Sequence, residues 1–186
     1  MKRKLLILSC LVICLSILSA GTAAYFTSQS TARNVITSGF VEIELEEKHI
    51  NGSGAVVEFP QKGILGVMPG SRVSKIVTVK NTGAESWIRV KADCAVTAAD
   101  GSQLPNDVVR FTPNGAHWFF RDGWYYCRQS IPTEEATPVL FECVDFSPAM
   151  GNEYQNCRVI LTLQAQAVQA AHNQSAVEDV LGWPEM

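Results

Sequence analysis

Residues 117–127 read His117-Trp118-Phe119-Phe120-Arg121-Asp122-Gly123-Trp124-Tyr125-Tyr126-Cys127. Two aromatic runs flank Asp122-Gly123, a pair suited to the two positive φ angles of a type I′ turn. The stretch predicts a β-hairpin, and the same reading extends along the chain in both directions. Upstream, Phe40-Val41-Glu42-Ile43-Glu44-Leu45-Glu46 alternates apolar and acidic residues, as a strand with one buried face does. Asn51-Gly52-Ser53-Gly54 is a turn, and the short strand that follows it stops at Pro60. After Pro69-Gly70 a second alternating run covers residues 73–80, with Val73, Ile76 or Val77, and Val79 as inward candidates. Asn81-Thr82-Gly83 breaks that run before Trp87-Ile88-Arg89-Val90-Lys91-Ala92, and the two runs read as neighbours in an antiparallel sheet.

Downstream, residues 139–144 predict a further strand, whereas the long run over residues 157–170 is β-branched at its start and its Ala-Gln alternation over residues 164–170 fits a strand or a helix equally well. Ser175-Ala176-Val177-Glu178 has the form of a capping box and predicts a short helix over residues 176–181, closed by Gly182 and Pro184. Short strands punctuated by turn signals define an all-β class. The expected architecture is a jelly-roll-like or immunoglobulin-like antiparallel sandwich over residues 39–186, with a short C-terminal helix.

The chain of 186 residues carries 15 Lys and Arg against 18 Asp and Glu. Its first 24 residues hold Lys2, Arg3 and Lys4 and no acid, so the remainder is more acidic still. That balance argues against a nucleic-acid partner, since phosphate binding needs clustered cations. The same first residues have the three-part layout of an export signal, which forms the predicted N-terminal signal helix. The three cations precede an apolar run over residues 5–18, and Ser19-Ala20-Gly21-Thr22-Ala23-Ala24 supplies small residues for a peptidase. The expected cut falls between Ala24 and Tyr25, giving a signal over residues 1–24. If uncut, the segment is long enough to act as a membrane anchor.

Chemistry-bearing residues are sparse. The three histidines, His49, His117 and His172, have no partner at zinc-protease spacing. No Gly-x-Ser-x-Gly elbow occurs, and Gly52 and Gly54 precede no helix that could cradle a phosphate. The acidic row Glu42, Glu44, Glu46 and Glu47 reads as the solvated face of a strand, without the spacing of a calcium loop. No metal site, cofactor or catalytic residue is expected. Cys94, Cys127, Cys143 and Cys157 remain after signal removal, an even number in an exported chain. Two disulfides in any of three pairings, or buried free thiols, are both compatible with that count. The rings of Trp118, Trp124 and Tyr125 are candidates for a carbohydrate-binding surface, with sheet packing as the plainer role.

Gly21-Thr22-Ala23-Ala24-Tyr25-Phe26-Thr27 directly after the apolar run resembles the signals cut by the dedicated SipW-type signal peptidase, with Ser28 where an acid is common. Val35-Ile36-Thr37-Ser38-Gly39-Phe40-Val41-Glu42-Ile43, Pro69-Gly70, Lys80-Asn81-Thr82-Gly83, Trp87-Ile88-Arg89-Val90 and Leu163-Gln164-Ala165-Gln166-Ala167-Val168-Gln169 are similar to segments of the TasA/camelysin family. The resemblance implies a Gram-positive secreted protein of the cell surface or biofilm matrix, non-enzymatic and self-associating or joined to sister matrix proteins. It also implies that residues 25–38 form an extension whose strand, from Tyr25 and Phe26 to Val35, is donated to a neighbouring subunit. Two rival expectations are a secreted carbohydrate-binding module and a camelysin-like metallopeptidase. The second lacks any zinc motif in this sequence.

Overall fold

The computed structural model of the chain describes residues 28–31, 41–61, 64 and 67–184. The signal, the cleavage point at Ala24 and Tyr25, and most of the expected donor stretch, Phe26 and Val35 included, lie outside the described residues. The strands are β1 (Ser28–Thr31), β2 (Ile43–Ile50), β3 (Val56–Glu58), β4 (Arg72–Ser74), β5 (Ile76–Asn81), β6 (Ser86–Thr97), β7 (Gln103–Leu104), β8 (Val109–Phe111), β9 (Trp118–Arg121), β10 (Trp124–Cys127), β11 (Cys143–Phe146) and β12 (Arg158–Gln169).

They build the expected all-β antiparallel sandwich. One layer is a six-stranded sheet in the order β1-β12-β6-β10-β9, with β7 paired to β6. The other layer holds two three-stranded sheets, β3-β2-β5 and β4-β11-β8. Residues 136–142 join them. Leu140 N donates to Val77 O (2.9 Å), Thr137 N to Val79 O (2.8 Å) and Lys75 N to Glu142 O (2.9 Å), so pairing continues along the seam. Val41, Ile43, Val77 and Val79 from this layer meet Ile88, Val90, Leu163, Ala165 and Ala167 from the six-stranded sheet in one core.

The hairpin forms as its sequence requires. Asp122 (φ 51°) and Gly123 (φ 82°) both take positive φ, and Trp124 sits opposite Arg121. The ambiguous segment is a strand: all twelve residues of β12 pair with β6, from Arg158 opposite Thr97 to Gln169 opposite Ser86. Its alanines suit the sheet because Ala165 and Ala167 face the core while Gln164 and Gln166 take the other side.

Three local expectations are corrected. The run over residues 73–80 is two strands broken at Lys75, where pairing passes from β11 to β2. Nor is β5 a sheet neighbour of β6, because the turn after Asn81 carries the chain across the sandwich instead of reversing it within one layer. Asn81, fully buried, holds that crossing: its Nδ2 donates to the carbonyls of Ala84 (2.9 Å), Ile131 (2.8 Å) and Pro132 (3.2 Å). The expected C-terminal helix is a single 3-10 turn, Val177–Asp179, with Ala176 at its N-cap and no side-chain cap bond. Gly182 and Pro184 leave too few residues for a second turn, and the segment is held instead by packing on the sheet.

Candidate functional site

Two features of the six-stranded sheet stand out, and β12 contributes to both. The first is the sheet face turned away from the main core. Alternation sends Trp87 and Arg89 of β6, Phe119 and Arg121 of β9, Trp124 and Tyr126 of β10, and Gln166 and Val168 of β12 to this face. Residues 170–184 fold back over it, where Val177, Val180 and Trp183 complete a second apolar cluster.

Arg89 lies at the centre of that face, 9% exposed. Its guanidinium carbon is 4.2 Å from the Trp124 ring and 4.6 Å from the Trp183 ring, a cation held between two indoles. Nε and Nη2 both donate to Oε1 of Gln166 (2.8 and 2.6 Å), Nη1 donates to the Tyr126 hydroxyl (3.0 Å), and Nη2 also donates to the carbonyl of Pro184 (3.2 Å). Every acceptor is neutral, and among the described residues no carboxylate pairs with this charge. Burial accordingly pulls the guanidinium below its ordinary pKa, against the opposing hydrogen bond it donates to Tyr126. Arg121 makes a parallel arrangement, donating both Nη groups to Glu178 O (3.1 Å each) with its guanidinium 5.1 Å from the Tyr126 ring. Among the described residues, buried Gln166 Nε2, Trp87 Nε1 and Trp183 Nε1 have no hydrogen-bond partner.

The second feature is the edge of β12. Ser28–Thr31 pairs antiparallel along it, with Ser28 opposite Ala167 and Thr31 opposite Gln164. The outermost position of the sheet is thus filled by four residues from the N-terminal extension.

The sequence-predicted site residues are dispersed. Trp118 (2% exposed) belongs to the main core and donates its indole N–H to Pro138 O (3.1 Å), whereas Trp124 (4% exposed) belongs to the second cluster. Tyr125 is half-buried against the main core. The three rings therefore do not form a surface. Both faces of the hairpin are covered, one by the sandwich and one by residues 170–184, which leaves Phe120 as its exposed ring at 61%. Of the two states the cysteine count allows, the structure has the unbridged one: Cys94, Cys127, Cys143 and Cys157 are free thiols. Cys94 sits opposite Leu161, Cys127 opposite Trp118 and Cys143 opposite Ser74, so none of these three has a cysteine as its register partner. Burial raises the thiol pKa of Cys94 and of Cys127.

The acidic row divides. Glu46 pairs with Lys48 near the surface, but Glu47 shares the inward side with Ile43 and Leu45 and meets buried Lys75 at 2.9 Å. Lys75 also lies 3.8 Å from the centre of the Phe59 ring. Among the described residues no three His, Cys, Asp or Glu side chains are grouped to hold a metal ion, and no helix is long and apolar enough to cross a membrane.

Sequence reasoning missed Arg89 and Gln166. Each stands in an alternating strand where a polar residue signals solvent, and only the later return of residues 170–184 buries them. Trp183, an indole beside a proline near the end of the sequence, was the available signal. No family model, curated protein or solved structure matches this chain.

Proposed function

We propose that this chain is a secreted, non-enzymatic structural protein of the cell surface or biofilm matrix, released by a SipW-type peptidase between Ala24 and Tyr25 and assembled by exchange of its N-terminal strand. The observation that carries the reading is the pairing of β1 with the edge of β12. A strand from the far end of the chain, Ser-Gln-Ser-Thr in sequence, is joined there through backbone hydrogen bonds over four residues. Such pairing is available equally to the same strand of a neighbour, because main-chain bonds supply the affinity whichever copy provides them. A strand passed head to tail, without closure into a ring, gives an open filament.

The test compares a form starting at Tyr25 with one starting at Ile36, which lacks β1, by electron microscopy and light scattering. The reading expects fibres or oligomers from the first and none from the second. Identical monomeric behaviour of both would remove it. N-terminal sequencing of the exported product checks the processing step independently.

A further inference from the structure

We infer that residues 170–184 form an exchangeable strap, and that the sheet face beneath it, built by Arg89, Trp124, Tyr126 and Gln166, receives the same segment of a second copy. This inference goes beyond the exchange of β1 and does not depend on it.

Four observations point to this. The sheet grips the strap through the strap's main chain: Arg121 donates to Glu178 O and Arg89 to Pro184 O, while Asn173, itself in the strap, closes it on Leu181, donating to Leu181 O (3.0 Å) and accepting from Leu181 N (3.2 Å). The anchoring side chains, Val177, Val180 and Trp183, fill sites on the sheet that an identical segment fills equally well. Closure in the single chain is also imperfect. It leaves Gln166 Nε2, Trp87 Nε1 and Trp183 Nε1 buried without acceptors and keeps the Arg89 charge from water, so lifting the strap returns those groups to solvent. The link from β12 to the seated part of the strap is short, residues 170–172, and His172 in it holds a positive φ of 61° that a non-glycine residue adopts at a cost. A short hinge under strain beside a self-complementary segment favours exchange between copies, which keeps every closed contact.

The occupant is a peptide of this chain's own sequence because that sequence is already seated there. Its 3-10 turn, Val177–Asp179, is met by Arg121, whose two Nη groups donate to Glu178 O (3.1 Å each).

The test uses a fluorescent peptide of residues 173–184 and the full chain. Trp183→Ala loosens the strap and leaves the face intact, so that variant should bind the peptide at least tenfold more tightly than the unchanged chain, whose own strap competes. A peptide carrying Trp183→Ala should bind at least tenfold more weakly. Asn173→Ala, which removes the strap's tie to Gln169 O of β12 (3.3 Å) and its internal closure on Leu181, serves as a second variant should Trp183→Ala not fold. It should bind the same peptide and raise the dimer fraction seen by light scattering. A cooperatively folded variant that shows no peptide binding would overturn the inference. The assay leaves β1 in place, so its failure is distinct from a failure of filament formation.

Discussion

Replacing Asn81 with alanine should destabilise the fold by about 2–4 kcal/mol, at about 0.5–1.5 kcal/mol net for each hydrogen bond lost. The side chain makes four such contacts: Nδ2 donates to Ala84 O, Ile131 O and Pro132 O, and Oδ1 accepts from Gly83 N (3.2 Å). Its two amide hydrogens are shared among three carbonyls, which holds the sum below four full bonds. None of those carbonyls is orphaned by the change. Ile131 O keeps Ser86 N (3.0 Å), Pro132 O keeps Glu135 N (3.3 Å) and Ala84 O keeps the Ser86 hydroxyl (2.7 Å). For a domain of this size the loss lowers Tm by about 4–16 °C, at about 2–4 °C per kcal/mol. Urea unfolding of the form starting at Tyr25 measures it directly. Asn81→Asp sharpens the test, since a carboxylate would face three carbonyl oxygens and its pKa would rise above the ordinary carboxylate value. The penalty of Asn81→Asp should therefore be small near pH 4, grow as pH rises and level off above that raised pKa. An alanine variant within about 0.5 kcal/mol of the parent, the range of ordinary surface substitutions, would refute the assignment of Asn81 as the tie between the two layers.

Further outcomes follow from the same packing. Trp118→Ala and Trp124→Ala should each cost about 3–5 kcal/mol, read by thermal melting, where rings exposed for glycan binding would cost little. Gly123→Ala should lower stability by about 1–2 kcal/mol, since its φ of 82° is left-handed and an added Cβ is strained there although nothing crowds it. The Arg72 guanidinium holds the Asp145 carboxyl below its ordinary pKa by hydrogen bonding. The stability Asp145 contributes should be complete above about pH 4 and fade as pH falls through its depressed folded value, a loss that Asp145→Asn removes in acid titrations of stability. Wholly buried Cys127 should resist alkylation in the native state and react on unfolding, as peptide mass spectrometry would show.

What was legible in the sequence depended on how local its cause was. Asp122-Gly123 specifies its turn through its own backbone preferences, so the hairpin was readable. The alternation of Val41, Ile43 and Leu45 likewise marked a buried face, yet it could not show that Glu47 continues on that same side, because its partner Lys75 comes from another strand. The break at Lys75 and the crossing after Asn81 arise from which strands are available to pair, a property of the whole sandwich. Ser175 and Glu178 matched a capping box, but six residues before Gly182 and Pro184 could not sustain a helix against the apolar sites offered by Trp87 and Val168. The buried Arg89 site was illegible for the same reason, since half of its cover comes from residues about a hundred positions away, beyond any local pattern.

The account of assembly is tested most directly by locating which copy supplies the strand beside β12. Thr31 and Gln164 are register partners. Chains carrying Thr31→Cys alone should be mixed with chains carrying Gln164→Cys alone, assembled, oxidised and digested for mass spectrometry. The account predicts a disulfide-linked peptide joining positions 31 and 164 of different chains. A bond between these positions that forms only when both substitutions are in one chain, with none across the mixture, would contradict it.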